Sequence, residues 1–460
     1  MLKDKNKLAY FMFFLLAAIF VIIVSKGLTT PQPGDENVYY YMGKLISEGK
    51  VPYKDFFYAH PPLHIYLMAL IYKIFGFNIA ILKSIPFIST LASAFFVFKI
   101  AREKFGNYEA VISSLLFLFS YSIMFNSVFS FGINTATMLV VIGFYLLWNK
   151  SNYILSGIFF GLAGITRLLS LIPVLVILAA VLLSSRKNFV RLALSFLIIF
   201  LLTNGVFILF FGDAYLTPVY KFHLLKSFGA RENFREYLGI IKLNWILFFS
   251  ALSFVFVKEK KYINVLILTS IIYLIFLAML KKIFGFYFVV IFPFLAIIAG
   301  YSIAGIFNRL DLPKKIRTFI LIALFSIFAW NLASDEMFLE KIGFTGFGRG
   351  KDLAGFVNSV SDKDTMLFGD DSVVPLLALL INKNIAFDLV DTNNEVFLSG
   401  LVDLNSILVK LKGNNILFII RDKQGISYFS EVKEFLNENC ELLSSFHDRI
   451  EGSYLVYRCN

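Results

Sequence analysis

Long apolar runs separated by short polar connections fill the first 334 positions of the chain. Leu8 to Val24 is an unbroken apolar stretch of 17 residues, about 26 Å long as a helix against roughly 30 Å of bilayer hydrocarbon. Further runs fall near 78–101, 108–126, 130–148, 153–166, 168–184, 190–211, 241–257, 262–280, 284–306 and 316–334. Together with the first run, they predict eleven membrane-spanning helices. Residues 63–76 are apolar too, but short, and are expected to form a shallow helix at the outer leaflet rather than a span. A different pattern follows position 335. Compact strands are expected at Thr365–Phe368, Asn415–Ile420 and Ser453–Arg458, and helices near 350–360, 373–382 and 427–438. The expected fold is an α-helical polytopic membrane domain, residues 1–334, followed by a soluble α/β domain, residues 335–460.

Charge sharpens this division. The net charge of +12 hides two opposite halves. Residues 1–334 hold 31 Lys and Arg against 12 Asp and Glu, and residues 335–460 hold 12 against 19. The basic residues are spread over short connections, which excludes a nucleic-acid surface and fits loops facing anionic lipid. With Lys3, Lys5 and Lys7 in the cytoplasm, the groups Arg102/Lys104, Lys150, Arg186/Lys187/Arg191, Lys258/Lys260/Lys261 and Arg309/Lys314/Lys315 also fall inside. Loops 29–62 and 212–240 and the tail 335–460 then lie outside, in a multi-pass protein of the cell membrane. No small-residue cleavage site follows the first run, so it is expected to remain as a span. The two cysteines, Cys440 and Cys459, both lie in the tail. On the outside of the membrane they are expected to form a disulfide.

The chemistry concentrates in the first loop. Pro31 to Pro62 carries Asp35, Glu36, Glu48 and Asp55, four of the twelve acidic residues before position 335. Val38, Tyr41, Met42 and Leu45 follow helical spacing, with Asp35 at the N-cap position and Glu36 in the first turn. An amphipathic helix lying in the interface is expected. As a cap, Asp35 would stay ionised, which suits a general base. His60 stands before Pro61-Pro62, and Arg167 ends the segment Gly161-Leu162-Ala163-Gly164-Ile165-Thr166-Arg167 between two runs. His223, Lys226 and Arg231 populate the second exterior loop. Each has a plain alternative: a cap, a solvated loop histidine, a snorkelling anchor, a solvated loop face. Together they pair carboxylates with cations at one membrane surface, an arrangement suited to a phosphate whose tail lies in lipid. The chain contains no GxGxxG, P-loop, CxxC or HExxH motif.

The segment GDENVYYYMGKLISEGKVPYKDFFYAHPPL resembles the first exterior loop of GT-C glycosyltransferases, in the branch of dolichyl-phosphate-mannose protein mannosyltransferases and aminoarabinose transferases. The matching elements are Asp35-Glu36, Tyr39, Gly49-x-x-Pro52-Tyr53-x-Asp55 and His60-Pro61-Pro62-Leu63. GLAGITR and YKFHLLKSFGAR resemble two later elements of those proteins, and the layout likeness extends over about residues 5–335. One position departs: a Glu-Lys pair precedes the proline in aminoarabinose transferases, where this chain has Ala59-His60.

The resemblance implies transfer of a sugar from a polyprenyl-phosphate donor to an acceptor protein, lipid or glycan outside the membrane. Asp35 would act as base, with Glu36 orienting it or the acceptor. His60, Arg167, His223, Lys226 and Arg231 would face the donor phosphate, and Tyr39, Tyr53 and Asp55 would bind substrate. No cofactor is required by the residues. A divalent metal, Mg or Mn, stays open, because some such enzymes need one; Asp35 and Glu36 alone could not complete its ligand set. A transporter or flippase of lipid-linked sugars would place ionisable groups near mid-bilayer, and no Asp or Glu falls well inside a predicted span. A non-catalytic receptor accounts for the tail but not for the first loop.

Overall fold

The structure, a computed structural model, describes residues 2–227, 229–257, 263–309, 313–343, 347, 350–448 and 452–459. Lys258, Lys260 and Lys261, assigned above to an inner loop, lie outside the described residues. The chain is mainly helical, with one small sheet near its C-terminus. It divides into two compact units. The first comprises Met1–Leu28, Lys83–Val206 and Gly229–Lys341; the second comprises Thr29–Leu82, Phe207–Phe228 and Ile342–Asn460.

The first unit is a set of apolar helices. Among the described residues, Asn6–Thr29, Ile79–Lys104, Arg186–Phe211 and Thr318–Lys341 are long and apolar enough to cross a membrane. A fifth span results if the bent pair Ala230–Leu243 and Trp245–Phe256, which turns by 81°, is taken as one. The remaining predicted runs form shorter apolar helices. Several are broken by a polar residue that hydropathy averages away. Asn244 interrupts the run 241–257: its side chain accepts from Ser122 N at 3.0 Å and donates to Ser122 Oγ and Ile240 O at 2.8 Å. In an apolar solvent the freed backbone groups of a break must find partners inside the protein, and Asn244 supplies them. Close helix approach needs small residues. A Cβ on Gly300 would lie 2.6 Å from Glu109 O, and one on Gly157 2.4 Å from Leu192 O. The last helix runs over Lys314–Phe338 and on into a wider turn at Leu339–Gly343, past the predicted boundary at 334.

The second unit gathers three stretches that are far apart in sequence. The helix Glu36–Ser47 forms where predicted, but protein rather than solvent covers most of it. Nine of its twelve residues are buried, and it packs against the helices Leu63–Phe75 and Val374–Ile381. Tyr41 Oη accepts from Ile385 N at 2.9 Å, and Lys50 pairs with Asp388 at 3.0 Å.

The tail folds as an α/β layer. Strands β1 (Met366–Gly369), β2 (Ile416–Arg421), β3 (Cys440–Asp448) and β4 (Gly452–Cys459) lie in the order β1-β2-β4-β3. β1 runs parallel to β2, with Met366 opposite Ile416; the other two pairings are antiparallel. Five of the six β2 residues are buried, which is why this strand reads as a continuous apolar run rather than an alternating one. Phe368, Phe418, Leu411, Phe435 and Leu436 fill the core beside it. Cys440 and Cys459 stand opposite each other on β3 and β4 and are disulfide-bonded.

Candidate active site

Eight of the ten predicted site residues fall in the second unit: Asp35, Glu36, Tyr39, Tyr53, Asp55, His60, His223 and Lys226. Arg167 and Arg231 belong to the first.

Asp35 stands at the N-cap position of its helix, but with helical dihedrals (φ −61°, ψ −22°), and its side chain makes no capping hydrogen bond. The expectation that capping keeps it ionised is corrected: its carboxylate is not engaged by the helix end. The turn before it is held by neighbours. Asn37 Nδ2 donates to Gln32 O at 2.7 Å and Gly34 O at 3.0 Å, and Gly34 N donates to Ser372 O at 3.0 Å. Glu36 is fully buried and folds back over Gly34, where a Cβ would lie 2.5 Å from its Oε2.

One turn along the helix, Tyr39 is the hub of an aromatic cluster. Its ring meets those of Tyr58, His60 and His64 at 6.2, 6.0 and 5.4 Å. His60 Nε2 and Tyr39 Oη are 3.2 Å apart. His223 stacks on His60 with ring centres 5.5 Å apart, and its Nε2 donates to Ala59 O at 2.9 Å. A carbonyl can only accept, so that nitrogen carries a proton. The second loop thereby buttresses the segment before Pro61-Pro62, helped by Phe222 packing on Ala59 and Val396.

Tyr53 is buried and adopts φ 70°, uncommon for a residue with a side chain. Its Oη donates to His60 O at 2.7 Å, and its ring meets Tyr215 edge-on at 4.8 Å. Asp55 is exposed and accepts from Val51 N at 2.7 Å, closing the turn. Both line a groove of about 460 Å³ with Phe56, Asp213, Thr217 and Leu401.

The tail brings carboxyl groups that sequence reasoning missed. Asp371 is buried, and its pKa is pushed well above the ordinary carboxylate range by burial and by the charges of Asp370, Asp35 and Asp391. Asp391 is pushed up to about 6, first by burial and then by Asp35, with the Lys226 ammonium opposing. The Lys226 ammonium is close enough to Asp391 for their charges to interact, and it lies 5.1 Å from the centre of the Phe222 ring. Glu395 accepts from Ser227 N and Oγ at 2.8 and 2.7 Å, tying the second loop to the tail. The signal for Asp370 and Asp371 was present as two acids directly after an apolar strand, the usual place of polar site residues in parallel α/β layers.

In the first unit, Arg167 lies between the helix Tyr153–Gly164 and the turn Leu168–Ser170 and is 5% exposed. Its head is enclosed by protein, which is not the environment of a snorkelling anchor. Arg231 is exposed at the start of the helix Ala230–Leu243. Among the described residues, no group of three or more His, Cys, Asp or Glu is arranged to hold a metal ion.

Residues 59–210 match the profile of dolichyl-phosphate-mannose-protein mannosyltransferases. No curated protein matches the chain by sequence. Among solved structures, ArnT from Cupriavidus metallidurans in the apo state superposes with a TM-score of 0.65 at 14% identity, over 96% of this chain and 97% of that one. The same protein bound to undecaprenyl phosphate gives 0.64 at 15% identity, with the same coverage. The oligosaccharyltransferase AglB from Archaeoglobus fulgidus, in complex with an inhibitory peptide and a dolichol-phosphate, gives 0.59 at 11% identity, over 89% of this chain and 69% of that one. The chain thus resembles GT-C glycosyltransferases in fold as well as in motif, and has the helical architecture of those membrane proteins.

Proposed function

We propose that the chain is a membrane glycosyltransferase that moves a sugar from a polyprenyl-phosphate donor to an acceptor outside the membrane, with Asp35 as general base. The observation that carries this reading is the composition of the second unit. Loop 29–62 and most of the other two stretches that charge places outside, 212–240 and 335–460, fall in that unit together with Asp35, while residues 229–240 and 335–341 fall in the first. That favours eleven spans, a cytoplasmic N-terminus and an extracytoplasmic tail, with residues 1–334 as catalytic membrane domain and 335–460 as exterior domain. The lipid phosphates bound by the two structural neighbours support the donor class.

Asp35 takes the proton of the acceptor as its heteroatom attacks the anomeric carbon. The bond from that carbon to the phosphate oxygen breaks, and polyprenyl phosphate leaves with the electron pair. Single displacement inverts the anomeric centre. His60 and Lys226, both in the second unit, neutralise the departing phosphate. His223 acts by holding the Ala59 carbonyl, and Lys226 exchanges Asp391 for phosphate when the donor binds. Glu36 positions the Gly34–Asp35 turn. Tyr39, Tyr53 and Asp55 contact substrate, the latter two through the groove they line. The acceptor is a protein, lipid or glycan. No step is routed through a metal; a Mg or Mn ion would need ligands beyond Asp35 and Glu36.

The test compares glycans and lipids by mass spectrometry in cells with and without the chain. The expected result is loss of one glycosylated species and accumulation of one polyprenyl-phosphate sugar. Identical profiles would contradict the reading.

A further inference from the structure

Strands β1 and β2 are parallel, with Gly369 at the end of β1 opposite Ile419, and β2 runs two residues further to Arg421. The turn beyond β1, Asp370–Ser372, is determined from several directions. Asp370 is fully buried, and Arg421 Nε donates to its Oδ2 at 3.0 Å. Ser372 N donates to its Oδ1 at 3.0 Å, and Arg421 Nη2 donates to Ser372 Oγ at 3.1 Å. Gly425, at φ 57°, covers the carboxylate closely, since a Cβ there would lie 2.4 Å from Oδ2. A charged pair with this many fixed partners holds one geometry, because leaving either charge alone in the interior is costly.

That rigid turn reaches the first loop: Ser372 O accepts the amide of Gly34, the residue before Asp35. Asp371, the middle residue of the turn, lies close enough to Asp35 for the two charges to interact. We infer that the Asp370–Ser372 turn, locked by Arg421, is a positioning element of the catalytic centre. It fixes the backbone at Gly34 and with it the aim of Asp35. On this account the C-terminal α/β layer is a working part of the transferase, and Arg421 and Asp370 act on Asp35 through Ser372. The inference rests on the glycosyltransferase reading for its consequence in rate, but not for the contact itself.

The experiment uses the full chain in nanodiscs as parent, Arg421→Gln, and Arg421→Gln with Asp370→Asn. Two quantities are read: hydrogen exchange of the peptide spanning residues 30–38, and release of free polyprenyl phosphate from a lipid extract of the host cell. Arg421→Gln should speed exchange in that peptide about tenfold, the equivalent of one lost hydrogen bond. It should lower the rate about a hundredfold, the cost of a base displaced by about an ångström, with the KM for donor unchanged. The double variant, neutral on both sides and able to pair amide to amide, should recover both. If Arg421→Gln does not fold, Arg421→Lys keeps the charge beside Asp370 but loses the bond to Ser372 Oγ, and both readouts should move the same way by less. Unchanged exchange at 30–38 would overturn the inference, as would faster exchange with an undiminished rate. Were no variant, parent included, to release polyprenyl phosphate, the glycosyltransferase reading would fall, while exchange would still decide the contact.

Discussion

The two units treat their polar groups in opposite ways. In the first, hydroxyls mostly bond back to their own helix: Ser114 to Ala110 O, Thr137 to Ile133 O, and Ser270 to Leu266 O, each at 2.8 Å. In the second, polar groups reach across long stretches of sequence: Gly34 to Ser372, Tyr41 to Ile385, His223 to Ala59, Ser227 to Glu395. The difference follows from the solvent each unit suits. Lipid offers no hydrogen bonds, so a helix there satisfies itself locally and packs through small residues. The second unit instead brings unlike charges together from separate segments and holds them, and it buries acids such as Asp371.

Arg167 is where this contrast is easiest to break. It is a cation enclosed within the first unit. If it serves the leaving phosphate, Arg167→Ala should lower turnover about a hundredfold, the usual loss when one charge-stabilising donor is removed. The melting temperature should fall by only a few degrees. Comparable small losses in rate and stability would return Arg167 to a helix-packing role.

The disulfide tests whether the tail of the second unit is held by its own covalent closure. Cys440 and Cys459 are 19 positions apart, and closing such a loop is worth about 3 kcal/mol. Replacing both by serine should lower the unfolding free energy of the tail by about that amount, measured by denaturant titration, while the spans keep their helical signal. No change under non-reducing conditions would mean that the β3–β4 pairing suffices alone.

Much of this architecture was legible beforehand. Apolar runs mark the helices, β1 and β2 stand out as compact apolar strands, and the first-loop helix follows from Val38, Tyr41, Met42 and Leu45. What stayed hidden depends on distant contacts. Asn244 breaks a run because Ser122 is there to receive it. Asp35 looks like a cap from its neighbours alone, yet Ser372 holds the turn before it from far along the chain. Asp371 and Asp391 gain meaning only where the tail meets the first loop. No local pattern records such a meeting, whereas Asp35-Glu36 and His60-Pro61-Pro62 were visible because they sit within one loop.

Those hidden acids give the smallest expected effect. Asp391 titrates near 6 in the folded protein, above the ordinary value of 3.8, because burial disfavours its charge. The folded state then binds more protons than the unfolded state between those two values. Stability of the second unit should therefore fall as pH rises from 3.8 to about 6, and Asp391's part should be constant above that. Asp391→Asn should flatten this decline in thermal melts taken across the window. An unaltered slope would show that Asp391 is not held in the acid cluster.

The central claim is that Asp35 takes the acceptor's proton. The most direct measurement is the rate at which membranes containing the chain convert the lipid-linked donor to free polyprenyl phosphate, for parent and Asp35→Asn. Because the Asp35 side chain makes no cap bond, asparagine removes the base without loosening the helix. The account predicts a loss of about a hundredfold or more at equal membrane abundance and undiminished donor binding. A variant within about threefold of the parent, far short of what a general base contributes, would contradict it.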